Sequence, residues 1–444
     1  MILTQFVDDA LGCASYLVGD PRTGQAAVVD PAFAIEQYVE EAARRDLRIV
    51  RVVETHTHAD HLAGHGRFAL EHEVPVSVHP AADAAFPHDA LEDGDEIPLG
   101  DIVLRCIHTP GHRPEHCCLA VSDLTRGSEP WIVLTGDSLF VGDAARPDLA
   151  VEAREGAEGL FHSLRRLVEL GDGVEVYPGH VAGSLCGKAM SSKASTTIGF
   201  ERRFNPALAH EDVALFVAEV TGISAPRPPN MERIVELNRG RFVGARPEPP
   251  ELDAPPDGAE VLDVRPVEVF AEGHAPGAFN VPVSGTGFGT KAAFVLDGGL
   301  TVVSATDSVE ALDAIRGLRS VGLLDVAGYV LGGGPERLEL VSVEQLDELL
   351  ERGAELIDVR EKDERDTGYI AGSRNIPYRL LALGAAELPR DRPIVTICET
   401  GPRAAIAASI LSARGFDAHP VVNGGIDAWT AAGKPTVEFR RCAG

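Results

Sequence analysis

A long internal repeat restricts this fold more than any other feature. Leu262-Asp263-Val264-Arg265 recurs as Ile357-Asp358-Val359-Arg360, and Asn280-Val281-Pro282 recurs as Asn375-Ile376-Pro377, both at an offset of 95 residues. A Gly-rich turn also recurs, Leu331-Gly332-Gly333-Gly334 against Asn423-Gly424-Gly425. Solenoid repeats run about 20–50 residues, so a period this long marks two copies of a whole α/β domain. The second copy is expected to begin near Leu340, where Ser342-Val343-Glu344-Gln345 has the form of a helix-opening cap. Ahead of the first copy lies the acidic, proline-rich run RPEPPELDAPP, the clearest boundary in the chain. These signals predict domains at residues 1–245, 258–339 and 340–444, with a linker at 246–257.

Residues 1–205 alternate short apolar runs with turns and amphipathic stretches. Ala26–Val29, Ile49–Val53, Ile102–Ile107 and Trp131–Leu134 read as buried strands. Ile35–Arg45 and Gly159–Leu170 read as helices, and a helical extension is expected over Asn205–Arg239. The pattern predicts a layered α/β architecture. A formal charge of −28 argues against a nucleic-acid partner and for small-molecule chemistry. No basic n-region precedes an apolar segment at the N-terminus, and no apolar run approaches the roughly 20 residues of a membrane helix. Seven cysteines without framework spacing fit free thiols in a reducing cytoplasm.

Thirteen of the 15 histidines fall within residues 1–245, where an even spread would put about eight, as a metal site in that half would require. Thr55-His56-Thr57-His58-Ala59-Asp60-His61 follows a strand directly and offers four ligands within six residues. Downstream, His112 follows Pro-Gly, Asp137 follows Thr-Gly, and His180 follows Pro-Gly, each after an apolar run. Each would sit at a strand end facing a shared cleft. His65, His72, His79, His88, His108, His116 and His162 belong to no motif and read as ordinary core or surface residues. The ligand set alone leaves one metal or two open.

The order of these motifs resembles the metallo-β-lactamase superfamily over most of residues 1–200, which implies an αββα sandwich. Two further segments narrow the resemblance. Asp143-Ala144-Ala145-Arg146-Pro147-Asp148 is similar to the Gly-Arg-x-Asp segment of persulfide dioxygenases, with Ala145 in place of the usual glycine. Gly183-Ser184-Leu185-Cys186-Gly187-Lys188 and Glu201-Arg202-Arg203-Phe204-Asn205-Pro206 are similar to the rhodanese-linked bacterial members. That family implies one ferrous iron per chain on His56, His112 and Asp137, and two imidazoles with one carboxylate leave positions for dioxygen and a sulfur substrate. It also implies that His58, Asp60, His61 and His180 orient the ligands. Arg146, paired with Asp148, would meet the substrate carboxylate.

Beyond Leu340, a strand-like Ile394–Ile397, the loop Cys398-Glu399-Thr400-Gly401-Pro402-Arg403 and a helix start resemble the active-site loop of a rhodanese domain, together with Gly424-Gly425-Ile426-Asp427-Ala428-Trp429. Backbone N–H groups and a helix N-terminus around the sulfur would stabilise a Cys398 persulfide. Arg403 closes the loop as a substrate-binding cation. Glu399 is expected to oppose anionic donors, and Pro402 supplies no N–H to the cradle. Counting back 95 residues from Cys398 reaches Val303, and no cysteine lies between Cys186 and Cys398, so the first copy reads as a silent rhodanese-like domain. Cys106, Cys117 and Cys118 read as core. Cys186 and, less strongly, Cys13 are accessory thiol candidates, while Cys442 reads as incidental.

Over nearly its whole length the chain resembles the bacterial fusions of a persulfide dioxygenase with rhodanese domains. The resemblance implies a cytoplasmic, homo-oligomeric enzyme that oxidises a low-molecular-weight thiol persulfide with dioxygen to sulfite. Cys398 would then pass a sulfane sulfur to sulfite, giving thiosulfate. The competing expectation is a two-zinc hydrolase of the glyoxalase II or lactonase kind with regulatory rhodanese modules.

Overall fold

The computed structural model describes residues 1–8, 10–147, 152–181, 191, 193–221 and 229–438. It divides into two compact units, Met1–Arg246 with Arg319–Gly322, and Pro247–Leu318 with Leu323–Gly444.

In the first unit, β1 (Ile2–Asp8), β2 (Cys13–Asp20) and β3 (Gln25–Val29) are antiparallel neighbours. β4 (Arg48–Val53), β5 (Val76–Val78) and β6 (Asp89–Ala90) continue that sheet in parallel, so its six strands lie in chain order. In a second sheet, β7 (Glu96–Pro98), β8 (Ile102–His108), β9 (Cys117–Asp123) and β10 (Ile132–Gly136) run antiparallel. β11 (Leu139–Phe140) and β12 (Asp143–Ala144) form a small hairpin, after which β13 (Glu175–Pro178) joins parallel to β10 and β14 (Thr196–Thr197) closes the edge.

Side-chain alternation sorts the strand residues into three layers of core. Tyr16, Val18, Ala27 and Val29 of the first sheet pack on Leu104, Leu119, Val121 and Leu134 of the second. The opposite face of the first sheet, with Leu17, Val28 and Val52, is covered by Tyr38 and Ala42 of helix α1 (Glu36–Arg44) and Phe68 of α2 (His65–His72). The opposite face of the second sheet, with Cys118, Ala120 and Val133, is covered by Ala157, Leu160 and Leu164 of α3 (Ala153–Val168). The result is the αββα sandwich. Cys106, Cys117 and Cys118 are core residues, as expected.

Helix α3 begins six residues before the Gly159 start that periodicity predicts. Gly156 disfavours a helix intrinsically, yet packing requires it there. A Cβ on Gly156 would lie 2.3 Å from the Pro147 carbonyl oxygen and 2.8 Å from that of Gly111. Gly111 itself has φ +152°, and a Cβ on it would meet the Leu160 backbone at 2.5 Å. The helix is thus pressed against the turn that carries His112. Gly156→Ala is expected to cost about 1–3 kcal/mol through overpacking, read as a lowered denaturant midpoint; an unchanged midpoint would contradict this packing.

The second unit holds two four-stranded parallel sheets of the same order. The first consists of β15 (Glu260–Asp263), β16 (Phe279–Asn280), β17 (Thr301–Ala305) and β18 (Val326–Leu331), ordered β16-β15-β17-β18. The other consists of β19 (Glu355–Asp358), β20 (Arg374–Asn375), β21 (Ile394–Ile397) and β22 (Ala418–Pro420), ordered β20-β19-β21-β22. The repeated motifs perform the same task in each copy. The Arg265 guanidinium clasps Asp263, and Asn280 donates to the carbonyls of Asp263 and Arg265; Arg360, Asp358 and Asn375 reproduce the arrangement.

The helix Val343–Glu351 opens with a full capping box, Ser342 Oγ accepting from Gln345 N–H and Gln345 Oε1 from Ser342 N–H. Ser342→Ala is expected to cost about 1 kcal/mol, measured by chemical unfolding. The proline-rich run is not free along its length. Leu252 N–H donates to the Tyr329 carbonyl and Tyr329 N–H to that of Pro250, so residues 250–252 lie along the β18 edge. Extended, proline-restricted backbone has the geometry for that pairing. Among the described residues no helix is long and apolar enough to cross a membrane.

Candidate active sites

Strand direction brings the metal motifs together. β3 and β4 are parallel, so Asp30 and the Thr55–His61 loop leave the first sheet at one edge. β8, β10 and β13 share a direction, so the turn bearing His112, then Asp137 and His180, leave the second sheet at the edge facing it. Antiparallel β2 starts where β3 ends, which places Cys13 there too.

Ligand atoms of His56, His112 and Asp137 lie within 4.8 Å of one another, and all three residues are buried. Asp137 Oδ2 stands 3.9 Å from His56 Nε2 and 3.6 Å from His112 Nε2 and has no hydrogen-bond partner among the described residues. A buried carboxylate oxygen without a partner is costly, and a divalent cation between these three atoms would satisfy it. The tautomers suit that role. His56 Nδ1 is 2.9 Å from Thr55 Oγ1, whose proton goes to Asp30, and His112 Nδ1 donates to the Arg146 carbonyl at 3.2 Å. Each leaves Nε2 as a lone-pair donor. Burial holds the pKa of His56 well below its ordinary value, helped by His58, and burial also lowers that of His112, so both rings are neutral. Burial alone would raise the Asp137 pKa, but attraction and hydrogen bonding to His180, together with attraction to His112, bring the value to about 2.

His58 does not join this triad. Its Nε2 stands 3.1 Å from Glu54 and 3.4 Å from Asp30, both buried. Burial opposes charging the ring, yet the negative charge of Asp30 and Glu54 beside it raises its pKa well above the ordinary value. His180 links Asp137 to Asp60, with Nδ1 2.6 Å from Asp137 Oδ1 and Nε2 2.7 Å from Asp60 Oδ2, and Asp60 in turn meets His61 Nδ1 at 3.2 Å. Cys13 Sγ lies in this group, 3.3 Å from both Asp60 Oδ2 and His180 Nε2. Arg146 is half-buried, with its carbonyl on His112; Asp148 and Cys186 lie outside the described residues.

Sequence reading passed over several members of this site. His116, assigned to no motif, is fully buried; its Nε2 accepts the Asp137 N–H at 2.9 Å and its Nδ1 meets Thr109 Oγ1 at 2.9 Å. Burial keeps its pKa down at about 3. Asp30, Glu54 and Thr55 are carboxylates and a hydroxyl at strand ends, where the only sequence signal is their place beside the motif. Asn238, from the helical extension, donates to the carbonyls of His58 and His61 and accepts from Ala63 N–H, pinning the ligand loop. Glu201 accepts from Gly142 N–H and Asn205 Nδ2, which ties the segment before Arg146 to the extension.

In the second unit, Cys398 follows β21 and is buried. Its Sγ accepts the Gly401 N–H at 3.1 Å, and Gly401 has φ +123°. Loop carbonyls are held from below: Ile426 N–H donates to Cys398, Asp427 to Glu399 and Gly424 to Thr400. Gly425 is required there, since a Cβ would sit 2.1 Å from the Cys398 carbonyl oxygen. The Glu399 carboxylate meets Arg360 at 2.8 Å, a guanidinium that it shares with Asp358. Arg403 forks onto Glu364 at 2.6 and 2.7 Å.

The counterpart of Cys398 in the first copy needs correction. Ser304 pairs with Asp263 and Ile397 with Asp358, so the offset at this strand is 93 residues and Cys398 corresponds to Ala305, not Val303. The helix then starts at Ser308, leaving a loop one residue shorter than that from Cys398 to Pro402. In that copy the position of the nucleophile is occupied by an alanine.

A model of the metallo-beta-lactamase superfamily matches residues 8–180, and one of the rhodanese-like domain matches residues 342–432. An uncharacterized protein of Aquifex aeolicus is 30% identical over 220 residues, which span 44% of this chain and 91% of the relative. The mitochondrial persulfide dioxygenase ETHE1 of Bos taurus is 27% identical over 240 residues, spanning 54% of this chain and 87% of the relative. The crystal structure of a metallo-beta-lactamase from Staphylococcus aureus subsp. aureus COL matches with a TM-score of 0.68 at 28% identity, over 75% of this chain and 99% of that one. The fold and the ligand cluster define a metal-binding αββα protein. The chain belongs to the metallo-β-lactamase superfamily, as a fusion of that fold with a C-terminal rhodanese-like domain.

Proposed function

We propose that this chain is an Fe(II)-dependent persulfide dioxygenase joined to a sulfurtransferase, both acting in sulfide detoxification in the cytoplasm. The observation that carries the reading is the triad of His56, His112 and Asp137 with His58 turned onto Glu54 and Asp30. Two imidazoles and one carboxylate are the donor set of mononuclear iron oxygenases, whereas a paired hydrolytic centre would draw His58 in as a ligand. Bound iron would supply the redox chemistry by which dioxygen reacts with a thiol persulfide. The chain's own residues set the stage for it: Thr55 and the Arg146 carbonyl orient the imidazoles, and His180 holds Asp137 in place. Arg146 and Asp148 would receive the carrier thiol. The relatedness to the Bos taurus persulfide dioxygenase supports the same substrate class.

At the second site, Cys398 thiolate attacks the outer sulfur of a second persulfide, which releases the carrier thiolate and leaves Cys398–S–S⁻. Sulfite then attacks the outer sulfur, the S–S bond breaks toward Cys398 Sγ, and thiosulfate leaves. Covalent linkage of the two units raises the sulfite concentration available to Cys398. Metal analysis with an oxygen-electrode assay tests the whole: about one iron per chain and persulfide-dependent oxygen uptake are expected. Two zinc ions with thioester hydrolysis and no oxygen uptake would overturn it.

A further inference from the structure

The cysteine-less copy presents a charged residue to the sulfur loop of its neighbour. The two copies pack directly, with Asn280 N–H donating to Ser409 Oγ at 2.9 Å and the Phe294 and Tyr378 rings 6.1 Å apart. Between them lies a cavity of about 300 Å³, walled on one side by Thr400 and Gly401 of the Cys398 loop and on the other by Val281, Pro282 and Lys291, with the exposed Glu268 also on its lining. Lys291 sits on the helix Phe288–Val295 of the silent copy.

The other cations around Cys398 are already paired with carboxylates. Arg360 is held by Asp358 and Glu399, and Arg403 by Glu364. Lys291 Nζ donates to the Thr286 carbonyl at 2.6 Å and has no carboxylate partner among the described residues. It is half-buried; burial lowers its pKa and Arg403 pushes the same way, with Cys398 acting in the opposite sense. A partly desolvated cation in a cavity that touches the nucleophile loop attracts anions more strongly than an exposed one.

We propose that Lys291 positions the anionic sulfur acceptor, of the sulfite class, for attack on the Cys398 persulfide, so that the silent copy completes the acceptor site. This rests on the sulfurtransferase reading above. The lysine binds the oxyanion through Nζ and takes no part in bond making: sulfite sulfur bonds to the outer persulfide sulfur, and the electron pair of the broken S–S bond returns to Cys398.

Sulfur transfer from glutathione persulfide to sulfite, followed under argon with the full-length protein, tests it. Lys291→Met is expected to raise the KM for sulfite about tenfold while kcat changes less than about threefold, and Lys291→Arg is expected to restore most of the loss. In the unmodified protein, thiosulfate should protect Lys291 from reductive methylation, a measurement made simple by a total of only five lysines. A sulfite KM within about twofold of wild type in Lys291→Met would overturn the inference. Should that variant fail to fold, absence of protection would overturn it instead. Transfer that persists in Cys398→Ser, or is missing in wild type, overturns the sulfurtransferase reading and the inference with it.

Discussion

His112→Ala is expected to lose bound iron and persulfide-dependent oxygen uptake together. His112 offers one of the three candidate donor atoms, and its ring is already oriented by the Arg146 carbonyl. Losing even a group that only orients a ligand costs metal affinity about 10–100-fold, and losing a ligand costs more. Metal analysis after dialysis and an oxygen electrode read the two effects. Retention of both in the variant would show that the triad is misassigned. Thr55→Val gives a graded companion: it removes the acceptor for His56 Nδ1 and should weaken iron binding about 10–100-fold, while oxygen uptake returns at saturating iron. The Asp30 carboxylate also bonds the Thr55 N–H at 2.7 Å, so the loop keeps one anchor in that variant.

Cys398→Ser is expected to leave oxygen uptake in place and to divert product from thiosulfate to sulfite. An alcohol oxygen cannot carry sulfane sulfur, and the geometry of the loop otherwise survives, because Gly401 N–H can donate to a hydroxyl as it does to sulfur. Sulfite and thiosulfate measured together under air decide the matter. Undiminished thiosulfate would refute the division of labour between the two units.

Much of this was legible from residue order. The candidate metal-site residues follow apolar strands by no more than three turn residues, so a strand pattern plus residue type is enough to place His56, His112, Asp137 and His180 at one edge. The duplicated Asp-x-Arg and Asn-x-Pro segments exposed the tandem domains, since the same clasp is built by residues close in sequence. Local logic reached its limit at α3, where Gly156 and Gly159 count against a helix that packing against Pro110 and Gly111 then demands. It failed again at Ala305, because a fixed offset ignores a two-residue difference in the connection between strands.

Motif spacing thus specified the layered first unit, its pool of candidate donors, and Cys398 on a tight loop, all properties of short segments. Which imidazoles join the candidate triad was set by tertiary contacts: Glu54 and Asp30, at the ends of neighbouring strands of the first sheet, claim His58, and Asn238, 180 residues away from His58 in sequence, anchors its loop. The same holds for Lys291, a lysine in a copy without a nucleophile, which gains meaning only beside Thr400 and Gly401. Electrostatic and packing energies depend on distance in space, and residues remote along the chain acquire that proximity only when the sheets close over a common core.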